Sequence, residues 1–114
     1  MMKLNHLSII PTDMERTISF FQKELNLPVK GDASYAEVNA GAIIISLSPS
    51  AAVPTERPQG VVLQFEVDSV GATLEQVRAR GGWVLRDPEL MPWGTESAYV
   101  AGPDGLIVEF YRWP

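Results

Sequence analysis

The stretch Gly102-Pro103-Asp104-Gly105-Leu106-Ile107-Val108-Glu109-Phe110-Tyr111 joins a tight turn to a strand. Proline presets the backbone for a turn, and glycine and aspartate tolerate the left-handed conformation that turns need. Beyond the turn the side chains alternate. Leu106, Val108 and Phe110 point one way, and Ile107, Glu109 and Tyr111 point the other. The first face suits a core. The second sets a carboxylate between an aliphatic and an aromatic side chain. A glutamate on a sheet face is ordinarily solvated; the alternative is a pocket in which Glu109 is the charged group.

Working back from that strand, the second half of the chain reads as strand Val61 to Val67, a helix capped by Asp68 with Val70, Leu74 and Val77 on its apolar stripe, and a stop at Gly81-Gly82. Trp83 to Arg86 is a strand with Trp83 in the core, Asp87 to Gly94 a loop, and Thr95 to Ala101 a strand. The first half follows the same plan. Residues 4–10 alternate as a strand that ends at Pro11, with His6, Ser8 and Ile10 on one face. Thr12 and Glu15 form a capping box. The next helix carries Met14, Ile18, Phe21 and Leu25 on one stripe and stops at Asn26. A short strand over 27–30, a Gly31-Asp32 turn, strand Ser34 to Val38, an Asn39-Ala40-Gly41 turn and the β-branched run Ala42 to Leu47 complete it.

Shifting the numbering by 56 superposes the two halves. His6 falls on Val62, Ser8 on Gln64, Thr12 on Asp68, and Met14, Ile18 and Phe21 on Val70, Leu74 and Val77. Each half is β-α-β-β-β, and neither buries both faces of its sheet alone. The expectation is an α+β fold in which two βαβββ modules form a curved mixed sheet around a concave pocket, with helices on the outer face. The chain, 1–114, forms one domain: module 1 over 1–48, a Pro-rich linker over 49–60 and module 2 over 61–114. The inner faces would place His6, Ser8, Val62, Gln64, Glu66, Glu109 and Tyr111 around the pocket. Glu66 reads as a rim or solvent residue. Tyr99 and Tyr111 offer hydroxyls, and Trp93, in a Pro-Gly loop, reads as a loop anchor or as a stacking surface over the pocket.

At 114 residues the chain is large enough for a core without metal or disulfide staples. It has no cysteine, which excludes disulfides, thiolate metal sites and a cysteine nucleophile. The net charge of −5 and the lack of a basic patch argue against nucleic acid. No segment is apolar over the length of a membrane span, and residues 1–6 carry no signal-peptide pattern, so a cytoplasmic location is expected. Gly-rich phosphate loops, the Gly-x-Ser-x-Gly elbow and His-Glu-x-x-His are absent from the sequence.

The sequence resembles the vicinal oxygen chelate superfamily, also called the glyoxalase/bleomycin resistance/dioxygenase family. Leu4-Asn5-His6-Leu7-Ser8-Ile9 resembles its first strand, and Asp13 to Phe21 its first helix with an aromatic pair. Pro92-Trp93-Gly94 resembles the loop before its seventh strand. Gly102-Pro103-Asp104-Gly105 with Glu109 resembles its Asp-Pro-Asp-Gly turn and terminal glutamate strand, with Gly102 in place of the usual first aspartate. The resemblance implies that metal-dependent members hold a divalent ion through the first, fourth, fifth and eighth strands. Here those positions are His6, Ile45 or Ser46, Val62, and Glu109. His6 and Glu109 are competent ligands for Mn, Fe, Ni or Zn; Val62 has no donor atom. Homodimers are common in the family, and Trp113 is compatible with an interface.

Two functions are compatible with this sequence. The first is metal-independent binding or sequestration of a small molecule, as in the bleomycin resistance branch, with His6 and Glu109 as pocket polar groups. The alternative is a divalent-metal-dependent lyase, isomerase or dioxygenase using His6 and Glu109. Without metal, Glu109 is also the candidate catalytic base.

Overall fold

Each half of the repeat folds as strand, helix and three strands, in a computed structural model that describes residues 2–57 and 59–114. The chain divides into two units, Met1–Arg57 and Pro58–Pro114. Among the described residues, the first unit contains β1 (His6–Ile9), α1 (Met14–Ser19), a π-helical turn (Phe20–Glu24), β2 (Val29–Asp32), β3 (Tyr35–Asn39) and β4 (Ile44–Leu47). The second contains β5 (Val62–Glu66), α2 (Val70–Ala79), β6 (Trp83–Leu90), β7 (Glu96–Ala101), a 3₁₀ turn (Pro103–Gly105) and β8 (Ile107–Arg112).

Each unit has one four-stranded mixed sheet, ordered β1-β4-β3-β2 in the first and β5-β8-β7-β6 in the second. The β1–β4 and β5–β8 pairs are parallel and the others antiparallel. The expected α+β fold of two βαβββ modules is therefore present.

Register assigns the faces. In the first unit Ala36, Val38, Ile45 and Leu47 are buried on one side, joined by the half-buried Leu7 and Ile9. In the second, Ala98, Val100, Val108 and Phe110 are buried on one side. There α2 packs on β6, β7 and β8 through Val70, Leu74 and Val77, the expected stripe. The other side of each sheet carries the polar residues and is called its open face below.

Several boundaries differ from the sequence reading. The helix caps are Asp13 and Ser69, not Thr12 and Asp68. Asp13 Oδ1 accepts from Arg16 N at 3.1 Å, and Ser69 Oγ accepts from Ala72 N at 3.2 Å. Both caps move by one residue, so the spacing of 56 survives. The stripe of α1 also changes. Leu25 N donates to Phe20 O at 3.0 Å across five residues, and this wider turn buries Phe20 beside Phe21, while Ile18 and Leu25 stay half-buried. Asn26 ends the helical run at φ 56°, as expected. The turn after β2 falls at Ala33-Ser34, where Asp32 Oδ1 accepts from Ser34 N at 2.9 Å. That contact also draws the Asp32 carboxyl below its ordinary pKa, with the Ser34 hydroxyl as the largest cause.

The first half of the expected loop 87–94 is strand: β6 runs to Leu90 with register shifts between Val84 and Arg86 and between Arg86 and Glu89. The shifts absorb Pro88, which lacks the N–H of a regular ladder position. Trp83 is not a core residue; it is 72% exposed at the start of this edge strand. Among the described residues no helix is long and apolar enough to cross a membrane.

Candidate functional site

The open face of the second sheet is built around Glu109. Strand β8 lies between β5 and β7, and the register sets Gln64, Glu109 and Tyr99 side by side, with Arg86 next on β6. Glu109 is 3% exposed, so the ordinary solvated reading of a sheet glutamate does not hold. A buried carboxylate must be hydrogen-bonded to be tolerated. Gln64 Nε2 donates to Glu109 Oε1 at 2.9 Å, and the Tyr99 hydroxyl donates to the same carboxylate. Burial first, then the Glu109 charge and this hydrogen bond, push the Tyr99 phenol above its ordinary pKa.

The polar chain continues along β7. The buried Ser97 hydroxyl hydrogen-bonds Tyr99 and lies 2.8 Å from Thr95 Oγ1. Residues 95, 97 and 99 share a face because strand side chains alternate. Hydroxyls thus run from Thr95 through Ser97 and Tyr99 to Glu109, with Gln64 closing the far side.

The first unit carries a related arrangement at its surface. Ser8, Ser46, Glu37 and Lys30 occupy one row across β1, β4, β3 and β2. Tyr35 Oη donates to Glu37 Oε2 at 3.0 Å, and Ser46 hydrogen-bonds the same phenol. The hydrogen bond to Glu37 is the largest cause of a raised Tyr35 pKa. Each open face therefore carries a serine, a tyrosine and a glutamate in hydrogen-bonded succession, with Ser97 and Glu109 buried in the second unit and Ser46 and Glu37 half-buried beside an exposed Tyr35 in the first.

The sequence candidates fall as follows. His6 is exposed on the open face of the first unit, with Nδ1 3.0 Å from Asn5 Oδ1, and Ser8 lies two residues on. Of the two fourth-strand choices, Ser46 and not Ile45 shares that face. In the second unit Val62, Gln64, Glu66, Tyr99, Glu109 and Tyr111 share one face. Val62 is 37% exposed opposite Ile107, and Glu66 lies opposite Tyr111. Trp93 sits in the turn after β6, mostly exposed, where Gly94 N donates to Met91 O at 2.9 Å. Tyr35, Glu37, Thr95, Ser97 and Arg86 were not among the candidates. Alternation could have flagged Glu37 and Ser97, since both lie on the polar phase of their strands. The pairing that connects them is fixed by register.

Neither face taken by itself offers a metal three strong donors. In the second unit Val62 supplies none, and the row Gln64–Glu109–Tyr99–Arg86 sets no second carboxylate or imidazole beside Glu109. Beside His6 in the first unit stand Ile44 and the hydroxyls of Ser8 and Ser46. Among the described residues, neither unit groups three His, Cys, Asp or Glu side chains as a metal site requires.

Tyr99 gives a direct test of the Glu109 row. In a spectrophotometric titration, with Tyr99→Phe identifying its transition, Tyr99 should ionise above the ordinary tyrosine value of about 10. Glu109→Gln should lower that value part of the way, since burial remains. An unchanged Tyr99 transition would remove the pairing. Because the folded pKa is raised, the stability Tyr99 contributes is complete below its unfolded value and is lost as pH rises through the folded one.

A family model described as Glyoxalase/Bleomycin resistance protein/Dioxygenase superfamily matches residues 3–110. The chain belongs to this superfamily. Among solved structures, a conserved domain protein is 31% identical with a TM-score of 0.88, covering 99% of this chain and 100% of that one. A glyoxalase/bleomycin resistance protein/dioxygenase from Nocardioides is 23% identical with a TM-score of 0.80, covering 99% and 84%. A glyoxalase-related enzyme from Fulvimarina pelagi is 20% identical with a TM-score of 0.81, covering 97% and 88%. The last two are likenesses of fold.

Proposed function

We propose that this superfamily member binds a small molecule through its open sheet faces without a metal, and sequesters rather than transforms it. The observation that carries this reading is the buried Glu109 carboxylate, held by Gln64 and Tyr99 beside a donorless Val62. A carboxylate with fixed neighbours can accept a hydrogen bond from a ligand with little reorganisation. His6, Ser8, Val62, Gln64, Glu66, Trp93, Tyr99 and Tyr111 are the proposed binding residues. A homodimer in the cytoplasm belongs to the same reading.

The test is a calorimetric titration of chelator-stripped protein with Mn, Fe, Ni and Zn ions, run beside His6→Ala and Glu109→Ala. The expected result is no stoichiometric binding that depends on both residues. Tight one-to-one binding lost in both variants would overturn the proposal. It would favour a divalent-metal-dependent lyase, isomerase or dioxygenase in which His6 and Glu109 are ligands.

A further inference from the structure

A second feature of the second unit lies where the parallel strands β5 and β8 end together. Glu66, Val67, Asp68, Arg112 and Trp113 line an open cleft of about 570 Å³. Val67 N donates to Tyr111 O at 2.9 Å, which ties the two strand ends and fixes the floor. Trp113 forms a wall and is 63% exposed. Its ring approaches the backbone of the turn after β6, since a Cβ on Gly94 would lie 3.5 Å from Trp113 Cζ3. The indole thus packs near the Gly94 backbone while much of its surface stays open.

The charges in the cleft do not cancel. Arg112 Nε is 2.7 Å from Glu96 Oε1, so its guanidinium already has a carboxylate partner. Glu66 and Asp68 add two further carboxylates. The N-terminus of α2 begins just after Asp68 at the cap Ser69, and its dipole is equivalent to about half a positive charge. That offsets only part of two full negative charges. An indole face beside a net negative charge attracts a cation, and it favours one with a weakly hydrated alkylated surface over a small metal ion.

We infer that this cleft is a binding site for an alkylated ammonium group, with Trp113 as the aromatic wall and Glu66 and Asp68 as the counter-charges. The cleft shares Glu66 alone with the binding residues proposed above and contains neither Glu109, Gln64 nor Tyr99, so failure of either reading leaves the other standing. The recognised chemistry is shared by free quaternary amines and by choline lipid headgroups.

The experiment follows the Trp113 indole N–H resonance, identified by its absence in Trp113→Phe. The protein is titrated with choline chloride, with sodium chloride at matched ionic strength, and with 3,3-dimethylbutan-1-ol, the neutral isostere of choline. The expected result is a saturable shift with choline alone, weakened roughly tenfold in the doubly substituted Glu66→Gln, Asp68→Asn protein. Both residues are exposed, and unchanged circular dichroism would establish that this variant folds. An equal response to the alcohol or to sodium chloride would overturn the proposal, as would a choline response unaffected by the double substitution. Phosphatidylcholine vesicles distinguish the sources. Co-sedimentation lost in Trp113→Phe would assign the cation to a lipid surface, and a choline response without co-sedimentation would assign it to a free solute.

Discussion

Gly31→Val is expected to destabilise the first unit by about 3 kcal/mol or more, enough to disrupt the β2–β3 pairing. Gly31 has φ 121°, where a β-branched residue is strongly disfavoured. Holding a non-glycine residue in such a region costs about 1–3 kcal/mol. A Cβ would also run into the Tyr35 carbonyl oxygen and come within 2.7 Å of the Ala36 Cα. These are backbone atoms of the paired strand and cannot rotate away. Gly31 faces Ala36 in the ladder, so relief of the clash requires opening the hairpin that carries Tyr35 and Glu37. Urea denaturation measures the loss, and hydrogen exchange at the amides of 29–39 locates it. A variant with wild-type stability would mean the backbone at 31 relaxes to negative φ without cost.

Phe21→Ala should have a similar or larger effect, about 3–5 kcal/mol, the usual range for a fully buried phenylalanine. Phe21 has no exposed surface and meets Phe20 edge to face at a centroid distance of 5.2 Å. Its carbonyl also accepts from Leu27 N at 2.9 Å, so the ring and backbone together anchor the wide turn of the helix. A neighbour cannot easily fill the gap, because π-helical geometry fixes where Phe20 points. The thermal midpoint should fall by more than about 10 °C. The same substitution at Phe65, which is half-buried, should cost less. Equal losses at the two positions would argue against a special role for the packed turn.

Much of this architecture is legible in the residues. The alternation of Leu106 to Tyr111 separates core from open face, and the 56-residue spacing of Asp13 and Ser69 survives the one-residue error in both caps. Propensity favours Thr12 and Asp68 as well as their neighbours, and the local backbone decides between them. The helix stripe fails at Leu25 because a π turn changes the period, which a 3.6-residue template does not contain, and at Ile18 because Thr17 takes the buried position in the regular turn before it. Pro88 hides only the second half of β6, since proline argues against a strand unless a register shift accommodates it. Alternation places Glu109 on the polar phase, but only the pairing with Gln64 and Tyr99 explains how a carboxylate is accommodated there. Tyr35 and Glu37 pair along β3, which is not one of the strands to which the resemblance draws attention.

Strand β6 has a consequence for how the molecule behaves at high concentration. It lies at the border of its sheet and carries the exposed Trp83, Leu85 and Leu90. A flat border with those side chains would template the addition of a strand from another copy. Here Pro88 removes a donor, two register shifts interrupt the line of free backbone groups, and Arg86, Asp87 and Glu89 interpose charge. The border richest in greasy side chains is thus poorly shaped to seed a fibril, and straightening it would turn a harmless margin into a nucleation point.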